Sequence, residues 1–139
     1  MNIVLDASAA VHAAIEAPFS DMILNTVKQA EDIFSPELYC AEVSSGLLKY
    51  VKAGHLSAAS AADKLEQSMS LITDNRSLSD LSCEAILEAN RLNHSVYDMY
   101  YLILARRHGA YLISLDKRLL ALARQENIRY IQFEEIDWD

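Results

Sequence analysis

The chain is short of the residues that break or staple a polypeptide: its 139 residues include only 3 glycines, 2 prolines and 2 cysteines. So little glycine and proline, beside 52% hydrophobic residues, excludes a disordered chain and favours an ordered, helix-rich globule. Cys40 and Cys83 lie far apart without a C-x-x-C partner, which argues against zinc and redox motifs and leaves two buried, reduced thiols as the expectation. Positive charge is also scarce. With 12 Lys and Arg against 20 Asp and Glu, the formal charge of -8 is wrong for a protein that wraps nucleic acid nonspecifically. It still suits a basic protein partner, or an enzyme that holds nucleic acid through metal ions and a few local cations. No apolar run reaches the roughly 18 residues that cross a bilayer, and Met1-Asn-Ile-Val-Leu-Asp lacks the basic n-region of a signal peptide. The expectation is one domain over residues 1–139, cytoplasmic and without membrane attachment.

What is present is organised around residues 93–120. From 96 to 105 every residue except Asp98 is apolar or aromatic, which predicts a helix buried on all sides and stopped at Gly109. A charged carboxylate at its head is costly unless helix amides, a cation or a metal pair with it. Asp116 follows 111–115, a run fit for a buried strand, and precedes a helical stretch at 117–126. An acid at a strand's carboxyl end lies where open α/β sheets bind ligands. Asp6 repeats the arrangement after a strand at 2–5, with Ser8 two places beyond it as Ser114 stands two places before Asp116. For either Asp alone, capping the following helix is as good an explanation as function.

The remaining segments supply helices at 19–30, 37–53 and 57–72, a strand at 32–35 closed by Pro36, and a loop or weak edge strand at 73–77. A helix at 81–92, capped by Ser79 or Asp80, should turn Ile86, Leu87 and Ala89 inward; a last strand occupies 128–133 before an acidic tail at 134–139. On the helix at 37–53, Cys40, Val43, Leu47, Tyr50 and Val51 form the apolar stripe. Glu42 lies off that stripe, and Ser45 and Gly46 are small enough to let another element come close to it; a solvated Glu is the plain alternative. Strands separated by helices imply crossovers, hence an α/β fold with a mainly parallel sheet covered on both sides. Asp6 and Asp116 then share one sheet edge, with Glu42 and Asp98 able to point toward them.

With these pieces in place the sequence resembles the PIN-domain ribonucleases, and most closely the VapC-type toxins of toxin–antitoxin pairs. The matching pieces are I-V-L-D-A-S-A, S-P-E-L-Y-C-A-E-V-S-S-G-L-L-K, V-Y-D-M-Y-Y-L-I-L-A-R-R-H-G and Y-L-I-S-L-D-K-R-L, in the family's order and covering nearly the whole chain. The resemblance implies a PIN-like three-layer fold and an acidic cluster of Asp6, Glu42, Asp98 and Asp116. It implies a Mg²⁺- or Mn²⁺-dependent endoribonuclease, often homodimeric, blocked by a cognate antitoxin. A further acid that some members carry shortly after the last Asp is not apparent, since Leu119 and Leu120 follow Arg118.

The chemistry is coherent with such a cluster. Phosphodiester cleavage needs an activated water, a neutralised phosphate and a stabilised leaving oxygen, which hard divalent ions held by carboxylates supply. Carboxylates about 4 Å apart repel by about 4 kcal/mol per pair at an effective dielectric near 20, so a cluster of four calls for a cation or a proton. Asp6, Asp98 and Asp116 are expected as metal ligands, Glu42 as a ligand or as the group that orients water, and Ser8 and Ser114 as holders of the Asp carboxylates. Lys49, Lys52, Lys117 and Arg118 stand near enough in sequence to meet RNA phosphates, though each alone reads as a solvated charge. Tyr97, Tyr100 and Tyr101 are expected as core or dimer contacts. The alternatives are a PIN-like domain that binds RNA or protein without turnover, and a phospho-acceptor receiver domain. The latter lacks its adjacent acid pair near the first strand and a late Lys after a strand.

Overall fold

Strand β1, Asn2–Leu5, divides its side chains between two apolar clusters: Ile3 and Leu5 enter one, Val4 the other. This is the two-residue period of a strand with both faces covered. In the computed structural model, which describes residues 1–138, the same division separates Ile33 from Phe34 on β2, Asp32–Pro36, and Leu112 from Ile113 on β4, Tyr111–Ile113. Short strands β3, Asp74–Arg76, and β5, Tyr130–Ile131, form the edges. The sheet order is β3-β2-β1-β4-β5 and every pairing is parallel. Chain order reverses at β1, so the crevice at the carboxyl ends of β1 and β4 is a topological switch point, where such sheets bind ligands.

Parallel neighbours need crossovers, and helices provide them. Helices α1 (Ala7–Ala14), α2 (Ser20–Lys28), α3 (Leu38–Lys52) and α4 (Ala58–Ser70) pack on the Ile3 face. Helices α5 (Ser82–Leu92), α6 (Val96–His108) and α7 (Lys117–Gln125) cover the Val4 face. The result is the expected three-layer α/β architecture with a parallel sheet. Helix α6 is its centre: Met99 through Ala105 are all buried, Ser95 caps its start by accepting from Tyr97 N, and Gly109 closes it in the left-handed region at φ 56. Among the described residues no helix is long and apolar enough to cross a membrane.

Several expectations are corrected. A short 3-10 turn, Leu78–Asp80, takes up Ser79 and Asp80, and α5 begins after it without a side-chain cap. Leu81, Ala85, Ala89 and Leu92 face α6, so Ile86 and Leu87 point outward, 62% and 69% exposed. Cys83 shares that outer face. Cys40 is exposed too: the buried stripe of α3 keeps the expected Val43 and Leu47 but begins at Tyr39 in place of Cys40. Tyr97 is also exposed, whereas Tyr100 and Tyr101 are in the core. Pro36 is itself the last residue of β2, in register with Arg76. Strand β4 stops at Ile113 because Ser114 turns into the site, and β5 is shorter than the apolar run predicts. Of the acidic tail, Asp139 lies outside the described residues.

Candidate active site

The site begins with a register. Leu5 stands opposite Ile113, so the residues that follow, Asp6 and Ser114, leave β1 and β4 side by side. Asp6 N donates to Ile113 O at 3.0 Å, and Ser114 Oγ donates to Asp6 Oδ2 at 2.7 Å. The other oxygen, Oδ1, accepts from Ser8 Oγ at 2.5 Å, Ser8 N at 2.6 Å and Ala9 N at 3.4 Å. Ser8 Oγ in turn accepts from Leu115 N at 2.9 Å, and Ser114 Oγ from Asp116 N at 3.0 Å. The two serines thus lace the ends of both strands around one buried carboxylate. Burial raises the Asp6 carboxyl above the ordinary range, while the Ser8, Ser114 and Ala9 donors pull it back.

Asp116 caps α7, accepting from Arg118 N at 3.0 Å and Leu119 N at 3.4 Å. Asp6 likewise caps α1. Capping and a place in the site therefore coexist in both residues, since each cap sits at the sheet edge where the ligand crevice opens.

Glu42 arrives from the α1–α4 layer. Gly46, one turn further along α3, permits the approach: a Cβ there would meet Val11 Cγ2 of α1 at 2.8 Å. Seating α3 this closely on α1 draws Glu42 toward the end of β1. Asp98 and its helix arrive from the opposite layer. Tyr101, one turn beyond Asp98, donates from Oη to Glu42 Oε1 at 2.6 Å, joining the two layers above the sheet. Asp98 Oδ2 lies 2.7 Å from His94 Nε2, whose side chain is only 9% exposed.

The four acids share one electrostatic field. Burial lifts the Glu42 carboxyl, the Tyr101 bond partly offsets this, and the negative charges of Asp6, Asp98 and Asp116 all lift it further. Burial and the nearby acids also push the Tyr101 phenol up, so it stays a donor. Among the described residues no Lys or Arg forms an ion pair with any of the four acids. A cleft of about 290 Å³ runs past Ser8, His12, Glu42, Gly46 and Lys49. A larger one of about 550 Å³, between α1, α2 and α4, contains none of the four.

The donor set is all carboxylate oxygen without a Lys or Arg partner among the described residues, which suits a hard divalent cation; Asp6, Asp98, Asp116 and Glu42 are the residues that would hold it. Among the described residues, no three His, Cys, Asp or Glu side chains already meet as a metal cage. Each acid instead points at its own donor: serine hydroxyls, imidazole, phenol or helix amides. His94 and Tyr101 are the two site residues that the sequence reading missed. The available signal was helical spacing, since both fall within one turn of Asp98.

A doubly wound parallel sheet with a carboxylate-lined crevice at its switch point defines the class. The chain belongs to the PIN domain family, which matches residues 3–131. It is 28% identical over 121 residues to Ribonuclease VapC3 of Pyrobaculum aerophilum, an alignment covering 86% of this chain and 92% of that protein. Its fold is similar to the crystal structure of PAE2754 from Pyrobaculum aerophilum, with a TM-score of 0.67 and 23% identity, covering 87% of this chain and 78% of the other.

Proposed function

We propose that this PIN-domain chain is a Mg²⁺- or Mn²⁺-dependent endoribonuclease that hydrolyses RNA phosphodiester bonds, acting in the cytoplasm as the toxin of a VapBC-type pair. The observation that carries this reading is the shared field at Glu42, where Asp6, Asp98 and Asp116 act together and no arginine or lysine pairs with the four among the described residues. The similarity to a protein named Ribonuclease VapC3 supports the same reaction class.

When bound, a hard divalent cation would neutralise the phosphate and ready a water for attack. The chain's own residues do the rest. Ser8 and Ser114 fix both oxygens of Asp6. Tyr101 occupies Glu42 Oε1 and leaves Oε2 to orient the attacking water and take its proton. Lys49, in the cleft beside Glu42, receives an RNA phosphate, as do Lys117 and Arg118 beside Asp116.

A cognate antitoxin is the partner that the acidic surface and the toxin reading call for. The homodimer is supported by the outward face of α5, where Ile86 and Leu87 are exposed beside Glu84 and Glu88, both neutralised by arginines. A chain of charge -8 meets its own copy most easily on such a neutral apolar face. Leu87→Glu should sediment as a monomer where the parent is a dimer; an unchanged dimer removes this face from the interface.

The test of function is cleavage of labelled RNA by the purified chain with Mn²⁺ or with EDTA. Cleavage should require the metal and vanish in a folded Asp98→Asn. A folded Asp98→Asn that cleaves at the parental rate rules the mechanism out. Expression of the chain without its antitoxin should arrest growth. One observation favours a second reading, a PIN-like domain that binds RNA or protein without turnover: each acid already has its own hydrogen-bond donor, and among the described residues no three meet around one point. RNA binding without metal-dependent cleavage would establish that alternative.

A further inference from the structure

We infer that Tyr101 is a positioning residue whose phenol fixes the Glu42 carboxylate inside the acidic cluster, ready for a cation. The inference rests on the metal-dependent reading above and goes beyond it to a residue outside the four acids.

Glu42 sits on α3, is half-buried, and has a long side chain that can swing into solvent. Asp6, Asp98 and Asp116 repel it toward that solvent. Against this stands, among the described residues, one side-chain bond, 2.6 Å from Tyr101 Oη to Glu42 Oε1. Tyr101 is 2% exposed and packed in the α6 core, so its hydroxyl has a fixed position that Glu42 must come to. Asp98 stands one turn earlier on the same helix. Helix α6 therefore sets the spacing of two acids, one carried directly and one held through the phenol. A hydrogen bond to a rigid donor selects one rotamer of a ligand and lowers the ordering cost of binding. The neighbouring Tyr100 offers an internal control: its hydroxyl lies 2.8 Å from Ser82 Oγ on α5, directed to a different partner from that of Tyr101.

The test measures Mn²⁺ binding by calorimetry on the full chain, with far-UV circular dichroism and melting as checks of folding. Tyr101→Phe should bind Mn²⁺ about tenfold to a hundredfold more weakly, and Tyr100→Phe should bind it like the parent. RNA cleavage should follow, with kcat falling while KM for RNA stays near the parental value. Because Tyr101 acts through Glu42, adding Tyr101→Phe to Glu42→Ala should weaken Mn²⁺ no further, an outcome that general loosening of the core would not produce. Parental Mn²⁺ affinity in folded Tyr101→Phe, beside lost affinity in Asp98→Asn, overturns this inference and leaves the nuclease reading standing. A full Tyr101→Phe effect persisting in the Glu42→Ala background also overturns it. A parent that neither binds Mn²⁺ nor cleaves RNA overturns both.

Discussion

The two ends of helix α6 handle negative charge in opposite ways. At its carboxyl end, Glu84 lies 3.5 Å from Arg106 and 3.2 Å from Arg107, Glu88 meets Arg91 at 2.5 Å and Arg106 at 3.3 Å, and Glu126 pairs with Arg91. At its amino end, Asp98 joins Asp6, Glu42 and Asp116, with serines, a histidine, a tyrosine and backbone amides for partners and no lysine or arginine ion pair among the described residues. Arginines neutralise a carboxylate whose task is to hold a surface together. Hydroxyl, phenol and backbone amide donors hold a carboxylate in place without a full charge and leave its field intact, which is what a site for a cation requires.

The sharpest way to break this contrast is to remove a charge from each end. Asp98→Asn or Asp6→Asn should lower metal-dependent RNA cleavage by roughly 10³-fold or more, the scale of several kcal/mol of charge stabilisation. Glu84→Gln, at the other end, should leave cleavage unchanged and lower the melting temperature slightly. Equal losses of activity at both ends would mean that the amino end has no special role.

A second experiment reads the uncompensated field without any substrate. The folded-state carboxyls of Asp6 and Glu42 are raised above their ordinary values of 3.8 and 4.5, burial being the first cause in each. A raised acid contributes stability that is fully present below its unfolded pKa and is lost as pH rises through the folded one. At pH 7 without metal both charges therefore oppose folding, and Glu42→Gln should melt higher than the parent in EDTA. Mn²⁺ should reverse the order, since about 2.7 kcal/mol of stabilisation is available at 100 times Kd to the chain that binds it. A Glu42→Gln variant less stable than the parent in EDTA would show that the field at Glu42 is already neutralised.

Gly46→Ala tests how the site end is assembled. The new Cβ would stand 2.8 Å from Val11 Cγ2, a stiff β-branched side chain. Overpacking of this kind costs about 1–3 kcal/mol, and the better helix propensity of Ala returns about 1. The net loss should be about 1 kcal/mol by urea unfolding, with weaker Mn²⁺ binding as α3 moves from α1. Adding Val11→Ala should restore the Mn²⁺ affinity. Unchanged binding in Gly46→Ala would mean that the α1–α3 seat does not place Glu42.

Most of this geometry is legible because element order and apolar runs write it into the sequence. Strands separated by helices imply the parallel, doubly covered sheet, the apolar runs at β1 and α6 mark buried elements, and Asp6, Asp98 and Asp116 stand out as acids against apolar neighbours. The illegible parts depend on rotation about a helix axis. On α5, Ile86 and Leu87 are as apolar as Leu81 and Leu92, and only the packing against α6 decides which pair is covered. On α3, Val43 and Leu47 are buried as expected, but the first turn buries Tyr39 where Cys40 is the expectation, for the same reason. Tyr101 reads as core and is core, but its one polar atom reaches the site, which apolar patterning does not register. Nor does patterning register that the acids are held by separate donors.

The smallest expected effect lies back at the carboxyl end of α6, in a group whose charging would undo the compensation there. His108 stacks on Phe34 with ring centroids 4.1 Å apart and planes within 13°, and its Nε2 is buried without a hydrogen-bond partner among the described residues. Burial lowers its pKa below the ordinary 6.5, and Arg76 and Arg107 lower it further against the opposing pull of Asp74 and Asp32. A depressed group contributes stability that is present above the unfolded pKa and is lost as pH falls toward the folded one. Stability owed to His108 should thus be complete above about pH 6.5 and decline below it. His108→Phe keeps a ring against Phe34 and cannot be protonated, so the stability difference between parent and variant should shift toward the variant as pH drops from 7 to 5. Because the ring is partly open to solvent, the shift should stay under about 1 kcal/mol. A difference that does not vary over that range would mean that a proton at His108 is as well tolerated beside its arginines as in the unfolded chain.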